Sequence, residues 1–118
     1  MSKAPYLTDV SYRMSVRLYS DGEKCFGPGL LELLERVGER NSLSSAAKEM
    51  NMAYSKAWRI VNDAETALKY KLLDTSIGGR SGGGAVLTAE AKTLISDYRA
   101  FMSALKADAD RRFAEYFE

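Results

Sequence analysis

Hydrogen-bonding side chains recur along one short stretch of the chain, residues 54–62. Its polar members are Tyr54, Ser55, Lys56, Arg59 and Asn62. Helical spacing puts them on one face and the apolar residues between them on the opposite face. Lys and Arg donate to guanine O6 and N7 or to phosphate oxygens, and hydroxyl and amide groups contact bases or backbone. This face therefore offers noncovalent recognition of nucleic acid; the alternative is a solvated helix surface without a ligand.

A second basic element follows in residues 78–84, which carry Arg80 and Ser81 among five glycines. Glycines let the backbone bend close to a minor groove, where Arg80 can insert. A nucleotide phosphate loop would need a Lys-Ser or Lys-Thr pair after its glycines, whereas Ala85 to Leu87 is typical of a strand. We predict a basic hairpin tip; the alternative is a surface hairpin that touches no ligand.

Serines precede the predicted recognition stretch. Ser42 or Ser44 can cap a helix that starts near residue 43, and free N–H groups beside Ser44 and Ser45 can hold a phosphate. The two interpretations, capping without a ligand and phosphate binding, both stay open. For Trp58, packing inside the domain is favoured over stacking on DNA.

The elements that position these groups follow from apolar spacing. Residues 1–9 are predicted as a flexible tail, and the strict alternation from Val10 to Leu18 predicts a strand of a hairpin over 10–26, with a turn at Asp21-Gly22. Helices are expected at about 29–38, 43–50 and 53–68, with a left-handed corner at Asn51. Residues 72–87 are predicted as the wing, and Thr88 is expected to cap a long helix over 89–118.

Two helices at a sharp corner followed by a basic hairpin are the parts of a winged helix-turn-helix. The predicted fold is mainly α with small β-hairpins, namely a winged helix-turn-helix domain over 10–88 and a long C-terminal dimerisation helix. The apolar stripe of that helix can cover the domain's own core or pair with a second copy, and we favour a homodimer. The expected interface residues are Leu94, Tyr98, Phe101 and Leu105.

The residue counts argue against other classes of function. The chain has 118 residues, no His and one Cys, with a net charge of +1. It therefore lacks the commonest general base and the usual zinc ligands, and Cys25 cannot form an internal disulfide. We expect Cys25 to be a small buried hydrophobe rather than a redox sensor. No signal peptide or bilayer-length apolar run is present, so we expect a cytoplasmic protein that does not bind a membrane. From the residue types we also expect that the protein is not an enzyme and has no cofactor and no metal.

Several motifs together resemble a known family. They are Phe26-Gly27-Pro28-Gly29, Ser44-Ser45-Ala46-Ala47, Met52-Ala53-Tyr54-Ser55-Lys56-Ala57-Trp58 and the segment Gly78 to Thr88. The chain is similar over about residues 10–98 to the N-terminal domain of ModE-type molybdate-responsive regulators, and more distantly to LysR-type regulators. The resemblance implies a winged-helix repressor or activator that dimerises through strands and long terminal helices. Asn51 stands where these motifs commonly have Gly, and we expect no molybdate-binding module in this chain.

The resulting hypothesis is a bacterial-type transcriptional regulator that binds double-stranded DNA as a homodimer. The helix at 53–68 would enter the major groove, and the wing would contact the backbone or minor groove. The near-neutral net charge keeps an alternative open, in which the winged helix binds another protein and has no sequence-specific affinity for DNA.

Overall fold

Four helices and two short antiparallel hairpins make up the fold in the computed structural model, which describes residues 8–75 and 84–118. In chain order the elements are β1 (Leu18–Ser20), β2 (Glu23–Phe26), α1 (Pro28–Arg40), α2 (Leu43–Glu49), α3 (Tyr54–Leu68), β3 (Leu73–Asp74), β4 (Val86–Leu87) and α4 (Ala89–Phe117). α1, α2 and α3 correspond to the helices expected at 29–38, 43–50 and 53–68. Within the described ranges, no helix combines the length and apolarity that crossing a bilayer requires.

The first hairpin turns at Asp21 and Gly22. Their φ angles of 51° and 81° are both left-handed, as a two-residue turn between right-twisted strands requires. β1 pairs with β2 and is irregular between Leu18 and Tyr19. The hairpin packs on α3 through β2 and so forms one wall of the domain.

The expected strand from Val10 to Leu18 is wrong over most of its length, because β1 begins only at Leu18. Alternation predicts a strand only if a neighbouring strand satisfies its backbone, and residues 10–17 pair with no strand in the described part of the chain. They run along α4 instead. Tyr12 donates a hydrogen bond to Asp110, and its ring lies 5.2 Å from that of Phe113.

The core lies where α1, α2 and α3 meet. The fully buried side chains include Leu33, Leu34 and Val37 of α1, Leu43 of α2, Val61 of α3, and Phe26 and Leu72 from the strands and their approaches. Three alanines, Ala46, Ala47 and Ala57, are at most 1% exposed, and they let α2 and α3 approach closely. Small side chains at this contact therefore determine the corner between the two helices.

Polar caps fix the ends of these helices. Ser42 accepts a hydrogen bond from the Ser45 N–H at 3.0 Å, so Ser42 rather than Ser44 caps α2. The C-cap of α1 is Asn41, which is left-handed, with a φ of 54°. The corner residue Asn51 is also left-handed, with a φ of 53°, as the sequence predicts. Thr88 caps α4 through its Oγ1, which accepts the Ala91 N–H at 3.0 Å.

The second hairpin joins β3 to β4, and its ends are anchored in the domain. Leu73 pairs with Leu87, and Gly84 forms an isolated bridge with Ser42. The Ala85 N–H also donates to the Asn41 carbonyl at 3.1 Å. The base of the predicted wing therefore lies beside the junction of α1 and α2, while residues 76–83 lie outside the described ranges.

α4 is the longest element. Its 29 residues correspond to about 43 Å of helix, and the molecule measures 61 × 29 × 21 Å along its principal axes. Only Ala91 and Tyr98 of α4 are buried. Tyr98 packs edge-on against Phe26 at 4.9 Å and donates to the Val16 carbonyl at 2.6 Å. The first part of α4 therefore belongs to the domain, and the rest extends away from it.

The left-handed corner yields a stability prediction. Replacing Asn51 with Ala should lower the free energy of unfolding by about 1 kcal/mol relative to Asn51→Gly, because a β-carbon is disfavoured at positive φ. Urea denaturation of both variants measures the difference. Asn62→Ala, at an exposed position inside α3, is the matched control and should change little. Equal stability of the Ala and Gly variants at position 51 would contradict the assigned backbone conformation.

Candidate nucleic-acid interface

The start of α3 is set by the corner that precedes it. The Asn51 N–H donates to the Lys48 carbonyl, and the Met52 N–H donates to the Ala47 carbonyl at 2.9 Å. These bonds close the turn and direct α3 away from α2. Ala53 is the N-cap of α3 and forms no side-chain cap bond. The first-turn N–H groups of α3 therefore keep the partial positive charge of an uncapped helix start.

The predicted recognition residues lie together on the outer face of α3. Tyr54, Ser55, Lys56, Arg59 and Asn62 are all exposed. The opposite face holds the buried side chains of α3, which are Ala57, Val61, Ala64 and Glu65. We call the five exposed residues the α3 outer face. Packing thus turns this face to solvent.

Charge is distributed unevenly over the surface. In the described ranges, neither Lys56 nor Arg59 forms an ion pair, whereas most cations of α1 and α4 do. The paired cations of those two helices are Arg36, Arg40, Arg99, Lys106, Arg111 and Arg112. A net charge of +1 therefore still leaves unneutralised positive charge on the α3 outer face.

Trp58 is half-buried and packs against the core cluster, in agreement with the favoured packing interpretation. Its ring meets Tyr54 edge-on, with 6.3 Å between the ring centroids. Tyr54 remains 40% exposed. The Trp58 ring therefore packs against the Tyr54 ring and helps to fix its position, while the Tyr54 side chain remains partly exposed.

The other four residues that are predicted to bind DNA lie outside α3. Ser44 and Ser45 are exposed at the start of α2, and the Ser45 N–H is already used by Ser42. Both residues are exposed, but the start of α2 that precedes them is capped by Ser42. Arg80 and Ser81 lie outside the described residues.

The α1–α2 pair is held by a cluster of charges. Glu49 of α2 contacts Arg36 at 3.0 Å and Arg40 at 2.6 Å, both on α1. The Arg36 hydrogen bond is the main reason that the pKa of the Glu49 carboxyl lies below its usual value. The pKa of Arg36 is raised, chiefly by its hydrogen bond to Glu32. This cluster of ion pairs holds α2 against α1 at the surface of the domain, beside the buried apolar residues of the two helices.

A groove and a buried cysteine lie outside the α3 outer face. A groove of about 740 Å³ lies between β2, the start of α1 and the side of α3, and its charged lining residues are Arg17, Glu23, Lys24 and Asp63. Among residues 8–75 and 84–118, no group of three His, Cys, Asp or Glu side chains could hold a metal ion. Cys25 is 5% exposed, and burial raises the pKa of its thiol, so it is a small core side chain, as expected.

Sequence patterns missed Glu65, whose relevance only the structure shows. This carboxylate is 8% exposed, on the buried side of α3. Its Oε2 accepts the Leu72 N–H at 2.7 Å and the Leu73 N–H at 3.2 Å. The available signal was its position four residues after Val61, on the inward face of the helix.

Comparison with known proteins agrees with this geometry. Residues 28–92, from α1 to the first turn of α4, match the family model for bacterial regulatory helix-turn-helix proteins of the lysR family. The crystal structure of a CbnR_DBD–DNA complex is similar, with a TM-score of 0.56 at 25% identity, covering 74% of this chain and 94% of that chain. The mainly α, winged helix-turn-helix fold is thereby confirmed.

The chain is also similar in sequence to ModE and MopB proteins of several bacteria. The DNA-binding transcriptional dual regulator ModE of Escherichia coli K12 is 29% identical over 89 residues, and ModE of Yersinia pestis is 32% identical over 89 residues. Each alignment covers 75% of this chain and 32% of the relative. The molybdenum-pterin-binding protein MopB of Rhodobacter capsulatus is 36% identical over 74 residues, which cover 63% of this chain and 27% of MopB. The chain thus spans about a third of the length of these relatives, and the predicted resemblance to ModE-type regulators is confirmed.

The Glu49 cluster predicts a pH dependence of stability. Because the folded-state pKa of Glu49 is lowered, its stabilising contribution is present above the unfolded pKa of about 4.3 and is lost as pH falls through the folded value. The stability advantage of the parent over Glu49→Gln should therefore shrink as pH decreases below about 4.3. Urea denaturation at a series of pH values measures it.

Glu39→Gln serves as the control for this measurement. Glu39 is an exposed α1 carboxylate that forms no ion pair among the described residues. A parent-minus-variant difference with the same pH profile at positions 39 and 49 would show that the Arg36 and Arg40 contacts do not stabilise the fold.

Proposed function

The chain belongs to the LysR-type family of bacterial regulatory helix-turn-helix proteins, and on that premise we propose that it is a DNA-binding transcriptional regulator. The observation that carries the proposal is the α3 outer face. It is exposed, it stands at the sharp corner after α2, and its two cations have no ion-pair partner among the described residues. A relative named as a DNA-binding regulator and a similar domain solved in a DNA complex support it.

In this proposal the N-terminal half of α3 enters the major groove. Arg59 lies one helical turn beyond Ser55 and Lys56, and so projects from the same side. A bidentate Arg contact to guanine O6 and N7 contributes about 1–3 kcal/mol of base discrimination. Tyr54 offers a hydroxyl and a ring that can contact a thymine methyl group, and Asn62 lies at the far end of the face.

Contacts to the DNA backbone come from the flanks of α3. We assign this role to the hydroxyl groups of Ser44 and Ser45 and to the N–H groups in the first turn of α3, where the N-cap Ala53 forms no side-chain hydrogen bond. On sequence grounds we also assign Arg80 and Ser81 to the backbone or minor groove. The contacts of Gly84 with Ser42 and of Ala85 with Asn41 support this assignment, because they hold the base of the wing beside the α1–α2 junction.

We further propose a homodimer in which α4 pairs with α4 of a second copy. Leu94 and Leu105 are half-buried and Phe101 is 47% exposed, at the spacing of a helix–helix seam. Tyr98 stands apart from the other three predicted interface residues, because it is 4% exposed and already packs within its own chain. Two-fold pairing would present two α3 outer faces to a symmetric site.

The proposed activity is non-enzymatic, as is typical of regulators in this family, and its partner would be chromosomal DNA in the bacterial cytoplasm. The competing hypothesis, a module that binds another protein, draws on the net charge of only +1. The two hypotheses predict different responses to salt: affinity for DNA should fall steeply as salt rises, because counterions are released when basic side chains neutralise phosphates, whereas a protein-binding module should show little such dependence for DNA.

Substitution of Arg59 tests the recognition face. Arg59→Ala should reduce discrimination at one base position by about 1–3 kcal/mol, while the parent loses affinity steeply as salt rises. Binding to a selected duplex library at several salt concentrations measures both effects. Arg111→Ala is the matched control, because it also removes one guanidinium, but on α4 and from an ion pair with Asp108.

Site preference in the control should equal that of the parent. If the parent binds all duplexes alike with little dependence on salt, the protein-binding hypothesis replaces the DNA-binding one. If Arg59→Ala keeps the full preference of the parent, the assignment of the α3 outer face is wrong.

Substitution of Phe101 tests the dimer. Phe101→Glu should convert the protein to a monomer, because a charge would be buried in an apolar helix seam. Ser103→Glu adds the same charge at an exposed position near the opposite side of α4 and should leave the dimer intact. Sedimentation equilibrium distinguishes these states. A parent that is monomeric throughout, or a Phe101→Glu variant that remains dimeric, would contradict the assigned interface.

A further inference from the structure

The recognition helix and the long helix make little direct contact with each other. α3 packs on β2, α2, α1 and β1, whereas α4 packs on β4. Further contacts tie α4 to other parts of the chain, through the Arg99–Glu35 ion pair with α1 and through Tyr98 on Phe26. The orientation of α3 relative to α4 is therefore set through intermediates.

One intermediate is a chain of hydrogen bonds that begins at Glu65 of α3. The Glu65 carboxylate accepts the N–H groups of Leu72 and Leu73, as described above, and its Oε1 lies 3.6 Å from Lys71 Nζ. It is the one buried charged side chain among the described residues. A buried carboxylate requires such partners, so the start of β3 is held firmly on α3.

The chain continues from β3 to α4 through Thr88. The Leu72 carbonyl accepts the Thr88 N–H at 3.0 Å, and the Lys71 carbonyl accepts the Thr88 hydroxyl at 2.8 Å. The same hydroxyl oxygen accepts the Ala91 N–H at 3.0 Å and so caps α4. The Leu72 N–H is thus bound by Glu65 of α3, and the Leu72 carbonyl is bound by Thr88, the residue just before α4.

We propose that Glu65 and Thr88 are positioning residues that fix the angle between α3 and α4, and thereby the spacing of the two DNA half-sites that the dimer accepts. This inference rests on the proposed function, because spacing has meaning only for a dimer that binds DNA. Neither residue touches DNA in this arrangement. Each acts through Leu72, which connects the helix that reads the site to the helix that pairs the two copies.

The required precision is high. The two recognition helices of a dimer contact half-sites that are about 34–36 Å apart. Over half of this separation, about 17 Å, a rotation of about 10° between α3 and α4 moves α3 by roughly 3 Å, which is close to one base-pair step. Loosening the hydrogen-bond chain should therefore let the dimer accept neighbouring spacings.

The first arm of the test measures the geometry without DNA. In a Cys25→Ala background, spin labels are attached at Asp63→Cys on α3 and Ala107→Cys on α4, both of which are exposed. Excess unlabelled protein suppresses distances between copies, and double electron–electron resonance gives the distance within one copy. Thr88→Val, which keeps the shape but removes the hydroxyl, should shift or broaden the distance by roughly 3 Å, one base-pair step. Thr88→Ser should restore the parent distribution.

The second arm measures spacing on DNA. A library of paired half-sites with variable spacers gives the ratio of affinity at the best spacing to that at its neighbours. Thr88→Val and Glu65→Ala should reduce this ratio by about fivefold, with affinity for a single half-site unchanged. Val61→Ala is the control, because it removes buried volume from α3 without touching the hydrogen-bond chain.

The outcomes separate the inference from the function on which it rests. A sharp parent distance that Thr88→Val leaves sharp overturns the inference, and so does equal broadening in Val61→Ala at a similar loss of stability. Should Glu65→Ala fail to fold, the Thr88→Val and Thr88→Ser pair still decides it. A parent that binds DNA without any spacing preference overturns the link to spacing, while a parent that binds no DNA refutes the proposed function and leaves the distance measurement as the test of the coupling.

Discussion

The arrangement of the domain depends on the close contact between α2 and α3, which only small side chains permit. Ala46, Ala47 and Ala57 are almost completely buried there. Because protein interiors are closely packed, longer side chains at these buried positions are disfavoured, and the alanines together with the left-handed corner at Asn51 favour the close approach of α2 and α3. Once Ala57 and Val61 face inward, the helical period directs Arg59 and Lys56 outward.

The distribution of charge follows from this packing. On α1 and α4, acidic and basic residues sit three or four positions apart or face a neighbouring helix, and they neutralise each other. On the outer face of α3, Lys56 and Arg59 form no ion pair among the described residues, although the exposed carboxylate of Asp63 lies four positions after Arg59. A chain with almost no net charge can therefore present a local positive surface, which is what binding to a polyanion requires.

Much of the fold could be predicted because its signals are local. The apolar spacing indicated the helices, the Asp21-Gly22 pair indicated the first turn, and Thr88 was recognised as the cap of α4. The strand expected from Val10 failed because a strand is not a local structure. Its backbone needs a partner strand. The side chain of Tyr12 in this segment instead contacts Asp110 of α4, which is 98 residues away in sequence.

The sequence by itself determined which residues could bind DNA, because helical periodicity alone separates the polar face of α3 from its apolar face. Tertiary structure decided which of them are free to do so and what holds them in place. It assigned Tyr98 to the core through Phe26 and the Val16 carbonyl, and it gave Glu65 a role in joining α3 to the approach of α4. These assignments depend on contacts between residues far apart in the chain or across a turn, and no periodic pattern encodes such contacts; they arise only when the helices pack and buried polar groups must find partners.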